Sequence, residues 1–100
     1  MQFLITAYDG TDAEAPARRQ AVRDAHLAGA RELTEKGHFL IGGAILDDAG
    51  NMIGSAVVCE FSSRAELDAW LERDPYVTGK VWQKIEVVPF RAAVGAGGKG

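Results

Sequence analysis

Residues 38–61 read HFLIGGAILDDAGNMIGSAVVCEF, and this stretch decides the architecture. Two apolar runs, His38–Leu46 and Met52–Phe61, flank Asp47-Asp48-Ala49-Gly50-Asn51, a cluster of the residues that reversals of the chain require. The spacing predicts a β-hairpin. Moving outward toward the N-terminus, Gly37 stops a long run of helix formers, Ala15–Lys36, whose Pro16 stands where a first helical turn tolerates it. Before that helix, Gln2–Tyr8 is apolar at both alternating positions and reads as a strand ending at Asp9-Gly10.

Moving outward the other way, Ser63 with Glu66 three residues later has the form of a capping box, and Ala65–Arg73 continues as a short amphipathic helix. Asp74-Pro75 ends it, because a proline disfavours helical geometry at the residue before it. Val81–Arg91 is the last strand. Residues 1–91 thus form one β-α-β-β-α-β domain, and 92–100, rich in Gly and Ala, is expected to be a flexible tail. The connection rules turn this order into a ferredoxin-like α+β fold, with a four-stranded antiparallel sheet and both helices on one face. Two helices cover one face only, yet the strands carry large apolar residues on both. The other face is expected to be covered by a second copy, giving a homodimer with a barrel-like centre.

Composition narrows the function. With 11 basic and 14 acidic residues the formal charge is −3, which disfavours nucleic acid as a partner. The third strand also lacks the basic residue, glycine and stacking aromatics of an RNA-recognition motif. No apolar run is long enough for a membrane span, and the start has no basic segment of a secretory signal, so a cytoplasmic protein is expected. The single cysteine, Cys59, forms no internal disulfide and reads as a small apolar strand residue. His38 has no partners in the sequence that would make a metal site, and neither metal nor cofactor is expected.

On a helical wheel His26 falls about 40° from Val22, inside the apolar stripe of the first helix, with Arg19 and Arg23 on its flank. Carried through the second helix, the same geometry puts Asp74 within about 20° of Leu67, in the middle of that helix's apolar face. A carboxylate aimed at a core requires a hydrogen-bonding partner, and the inward His26 is the available one. Taken singly, an inward histidine is an ordinary core residue, and an aspartate before proline is an ordinary cap. Taken together, on neighbouring helices, they suggest an acid/base pair in which Asp74 fixes the imidazole tautomer. Arg19 and Arg23 are candidates for holding an anionic group. Tyr8 and Tyr76 are candidates for lining a pocket mouth.

Several of these residues carry a family likeness: Arg23-x-x-His26-Leu27 in the first helix, Gly37 and then Gly42-Gly43, Gly50 and Gly54, Ser62-Ser63, and Asp74-Pro75-Tyr76 followed by Gly79 and Trp82. The chain resembles the YciI-like, YCII-related family from about residue 2 to Arg91. The resemblance implies a dimeric α/β barrel with an active site whose His and Asp fall on His26 and Asp74. It departs from the family at Gly43-Ala44, where Gly-Pro is common. The wider dimeric α/β barrel group includes isomerases, lyases and cofactor-free oxygenases acting on small, often aromatic molecules. The resemblance therefore implies a small cofactor-independent enzyme of lyase or isomerase type. The alternative is a non-enzymatic ligand-binding or regulatory module that uses the same cleft.

Overall fold

The computed structural model describes residues 1–100. Its elements are β1 (Gln2–Asp9), α1 (Ala15–Glu35), β2 (Phe39–Leu46), β3 (Met52–Glu60), α2 (Arg64–Leu71), α3 (Pro75–Thr78) and β4 (Trp82–Phe90). The strands form one antiparallel sheet in the order β2-β3-β1-β4. This is the ferredoxin-like arrangement, with one helix more than the sequence pattern suggests. No helix is long and apolar enough to cross a membrane.

Register decides which side chains meet. Phe3 pairs with Cys59, Ile5 with Val57 and Ala7 with Ser55, so these alternate residues share the helix-covered face. Phe3, Ile5, Phe39, Val57, Cys59, Phe61 and Leu67 make one buried cluster there, flanked by Trp70. A second buried cluster, Ala7, Tyr76, Val81 and Trp82, lies toward the other end of β1. Leu4, Thr6 and Tyr8 point to the opposite face with their partners Val58, Ala56 and Gly54. That face has no helix over it, and Tyr8, Ile41, Val88 and Phe90 are exposed on it, Ile41 at 71%.

Two local devices position Asp74 and the turn that follows it. Ser63 caps α2 by accepting from the Glu66 N–H. The helix then stops at Leu71 instead of running on to Arg73, and Asp74 is extended, with φ −65° and ψ 135°, as a residue before proline prefers. Asp74 is therefore the cap of a new helical turn, α3, and does not belong to the face of α2. That turn closes with Lys80 N–H donating to Val77 O and Val81 N–H to Tyr76 O, with Lys80 itself in the left-handed region at φ 58°. On β3, Gly54 lies so close to β1 that a Cβ there would stand 2.4 Å from Ala7 O.

The segment after β4 contains no helix or strand. It folds back on Gln2, whose Oε1 accepts from Ala92 N–H and whose Nε2 donates to Gly97 O, each at 2.7 Å.

Candidate active site

Residues 19, 23 and 26 are three and four apart on α1, so Arg19, Arg23 and His26 share one helix face. They look across a gap to β2 and β3. The gap exists because the helix-facing positions of β2, opposite Val57 and Ser55, are Gly42 and Ala44, which have almost no side chain to fill it. The result is a cleft of about 240 Å3, walled by α1, β2, β3 and Tyr76. An apolar cavity of about 150 Å3 already accommodates benzene, so this is room for a single-ring molecule.

His26 and Asp74 meet. Nδ1 of His26 lies 2.8 Å from Oδ2 of Asp74, and both residues are buried. The same oxygen accepts the Tyr76 N–H at 2.9 Å, so the cap of α3 also orients the carboxylate. Because a carboxylate only accepts, the ring proton belongs on Nδ1, which leaves Nε2 with no partner inside the protein. The imidazole stacks on Tyr76, with centroids 3.8 Å apart and planes 10° from parallel, and meets Trp82 edge-on at 5.7 Å. Its orientation is thus fixed by three neighbours.

A second polar network stands beside the first. Nη1 of Arg19 reaches both carboxylate oxygens of Asp9, at 2.9 and 3.0 Å, with both side chains only 5% exposed. Nη2 of Arg19 donates to Ser55 Oγ at 3.0 Å, and Trp82 Nε1 donates to the same oxygen at 3.1 Å. The guanidinium lies 4.8 Å from the centre of the Tyr76 ring. Burial pushes the Tyr76 phenol up, against the opposing pull of Arg19 and Arg23.

Of the residues singled out in the sequence, His26, Asp74, Arg19, Arg23 and Tyr76 gather at one end of the helix-covered face. Arg19 arrives with its charge already paired to Asp9. Arg23 lines the same wall, half-buried, and forms no salt bridge; Arg31 and Thr34 continue the lining. Tyr8 does not join them, since alternation on β1 turns it to the open face, where it is 45% exposed. His38 stacks on Phe61 outside the cleft, with Nδ1 2.8 Å from Glu60 O. The Cys59 thiol is pushed up to about 11 by burial, which makes it a poor nucleophile. No group of three or more His, Cys, Asp or Glu stands where it could hold a metal ion.

Asp9, Ser55 and Trp82 escape a reading of the sequence. Ser55 left a trace, being the one hydroxyl among Val57 and Cys59 on the inward positions of a central strand. Trp82 entered only as part of the family likeness and Asp9 only as the end of a strand, because their polar roles depend on the register that pairs them across β1 and β4.

Comparison with known proteins places this geometry. The family model described as the YCII-related domain matches residues 1–91. Protein YciI of Escherichia coli O6:H1 is 35% identical over 97 residues, covering 91% of this chain and 97% of the relative. An uncharacterized protein of Haemophilus influenzae is 31% identical over 80 residues, covering 74% and 82%. Among solved structures, 5-chloro-2-hydroxyhydroquinone dehydrochlorinase from Burkholderia phenoliruptrix, in complex with 2,5-dihydroxybenzoquinone, superposes with a TM-score of 0.78 at 28% identity over 92% of this chain and 95% of that one. A dimeric ferredoxin-like protein of unknown function from a Jannaschia species shares the fold, with a TM-score of 0.50 at 20% identity over 91% and 98%.

Proposed function

The chain belongs to the YCII-related domain family, and from its cleft we propose that it is a small enzyme of lyase or isomerase type acting on a single-ring, oxygen-bearing molecule. The observation that carries this reading is the 2.8 Å contact between His26 and Asp74 in the wall of a cleft sized for one ring. The likeness to a dehydrochlorinase that binds an aromatic ligand supports the substrate class.

In the proposed step His26 Nε2 takes a proton from a hydroxyl or C–H of the ring, and the electron pair left behind moves into the ring. In an elimination the imidazolium returns that proton to the halogen-bearing ring carbon, giving a keto form; His26 then takes a second hydroxyl proton, the carbon–halogen bond breaks, the halide leaves with its electron pair and a second C=O forms, for a net loss of HX. In an isomerisation the proton returns to a different carbon, with no net change in composition. Asp74 holds the imidazolium in place while it carries the proton. The unpaired Arg23 at the wall, with Arg31, attracts a ring that is anionic. These steps require only protein side chains.

General acid/base action of this kind contributes roughly 10² to 10⁴ in rate. With a panel of chlorinated hydroxyhydroquinones and halide release as the readout, His26→Ala should lose that factor per folded molecule; its unfolding midpoint should also fall, because Asp74 is left buried without its side-chain partner. Normal turnover by His26→Ala would remove the assignment. Binding without any product in wild type would move the protein to the ligand-binding alternative.

A second copy on the open sheet face belongs to the same proposal. Leu4, Tyr8, Ile41, Val58, Val88 and Phe90 on that face are more apolar surface than a lone small protein usually exposes. The dimeric state of a protein of the same fold supports it. Sedimentation should give a dimer that Ile41→Lys with Val88→Lys converts to a monomer; a wild-type monomer at tens of micromolar would refute it.

A further inference from the structure

Residues 92–100 read AAVGAGGKG, and they lie beyond residues 1–91, which the YCII-related domain model matches. Val94 and Lys99 are the only side chains there larger than a methyl group. The segment turns back on itself, with Gly98 N–H donating to Gly95 O at 3.0 Å and Lys99 N–H to Ala92 O at 2.7 Å. Gly95 and Gly97 take the left-handed conformations this reversal needs, at φ 84° and 70°. The turn is seated across one end of the sheet, where β1 and β2 begin and β3 and β4 end. Gln2 of β1, whose side chain shares the open face with Leu4, donates to Gly97 O at 2.7 Å. Glu60 of β3 lies 3.6 Å from Lys99 Nζ. Gly97 stands so near β2 that a Cβ there would be 2.5 Å from Leu40 Cδ1.

Seated there, the turn raises a wall on the open face. Between it and Leu40, Ile41, Val58 and Phe90 runs a groove of about 400 Å3 whose lining contains no charged or polar side chain. Val94 stands on that wall 87% exposed, more than any other large apolar side chain of the protein. Ile41 and Phe90 beside it are exposed as well, so the valine belongs to a patch and is not a scattered surface residue. An apolar hollow and an apolar projection on one face are what a two-fold contact uses, because the same patch must serve both sides of the interface. The lining offers nothing to a charged or hydrogen-bonding partner. We infer that the 92–100 turn is a clasp for a second copy of this chain: it carries the apolar contact of the open face past the edge of the family domain, with Val94 packed against the partner.

This inference rests on the proposed dimer and names an element that tightens it. Sedimentation equilibrium of the full chain, over a range of concentrations, measures the dimer dissociation constant in wild type, Val94→Ser and Val94→Leu. Serine removes apolar surface without adding charge. Burying one valine is worth about tenfold in affinity, and a two-fold dimer buries two, so Val94→Ser should weaken the dimer about a hundredfold. Val94→Leu, which keeps the apolar surface, should hold the wild-type constant. Val94 makes little contact within its own chain, so the unfolding midpoints of wild type and Val94→Ser should coincide once both are diluted to monomers. A lower midpoint for Val94→Ser would overturn the clasp by tracing the loss to a damaged turn. An equally tight Val94→Ser dimer would overturn the clasp and leave the open-face dimer standing, and a Val94→Leu dimer as weak as Val94→Ser would do the same. A wild-type chain that stays monomeric would overturn the dimer and the clasp together.

Discussion

The helix-covered face of the sheet is built in two ways. At one end, Phe3, Ile5, Phe39, Val57, Cys59, Phe61 and Leu67 fill the space between sheet and helices with carbon and one thiol. At the other, the same strands carry Asp9, Ser55 and Trp82, and they face Arg19, His26 and Asp74. The apolar end is finished: its side chains have all their contacts inside the chain. The polar end is left with loose valences, namely the Nε2 of His26, the hydroxyl hydrogen of Ser55, and the Nε of Arg19, which is buried without any acceptor. An unmet buried donor costs about 1–3 kcal/mol. Only the Arg19 Nε is such a donor; the free Nε2 lone pair and the serine hydrogen stand beside a gap opened by Gly42 and Ala44, so this end has polar groups to offer where the other has none.

That contrast predicts where the fold is most vulnerable. Arg19→Met should be the severest change of all, since it leaves the Asp9 carboxylate buried with no cation. Breaking a buried pair in this way costs about 3–5 kcal/mol. Adding Asp9→Leu to the same chain should recover most of the loss, because the pair replaced by apolar groups no longer pays for desolvation. Urea denaturation of the single and double variants measures both. A single variant within about 1 kcal/mol of wild type would mean that water reaches the pair, and the division between the two ends would blur.

The second prediction pairs one substitution at each end. Ile5→Ala, at a fully buried position of the apolar cluster, should cost about 2–5 kcal/mol while leaving halide release per folded molecule unaltered. Gly42→Leu should do the reverse. A Cβ at Gly42 meets only the Val57 methyls and a backbone oxygen, at ordinary contact distances of 3.4 Å and beyond. A leucine there extends into the cleft, so stability should hold or rise slightly while ligand binding is lost. Calorimetric unfolding alongside the halide-release assay separates the two effects; a Gly42→Leu protein that still releases halide would put the ligand elsewhere.

How far these two ends could be seen in the sequence follows from the same division. The apolar end and the strand order were legible because periodicity is a local signal: alternation in 2–8 and 52–61, a helical stripe in 15–36, turn chemistry at 47–51. His26 was legible for that reason too. Asp74 reaches the expected partner by a different route, since the wheel ran α2 past Leu71 whereas Pro75 starts a new turn that Asp74 caps. Tyr8 shows the limit of position along the chain as a guide: it ends the right strand on the wrong face. Ser55 meets Arg19 across 36 residues and Trp82 across 27, and only the sheet register brings them together. Polar groups that meet over such distances leave no periodic trace, which is why the polar end was half visible.

The smallest expected effect tests how the turn that carries Asp74 and Tyr76 is held. Lys80 closes that turn in the left-handed region, at φ 58°, where a side chain with a Cβ costs roughly 1–2 kcal/mol. Glycine adopts this conformation without strain but gives up some of the gain through its greater freedom in the unfolded chain. Lys80 is exposed, so little packing is lost with its side chain. Lys80→Gly should therefore stabilise the protein by about 0.5–1 kcal/mol, and the benefit should be local. The Tyr76 amide, which donates to Asp74 Oδ2, reports on that locality: its hydrogen exchange should slow relative to amides of the β2–β3 hairpin. Slower exchange everywhere would show that the turn unfolds only with the whole domain, so that the polar end shares the rigidity of the apolar one. Faster exchange at Tyr76 would mean that Lys80 itself holds the turn, through a contact its exposure does not suggest.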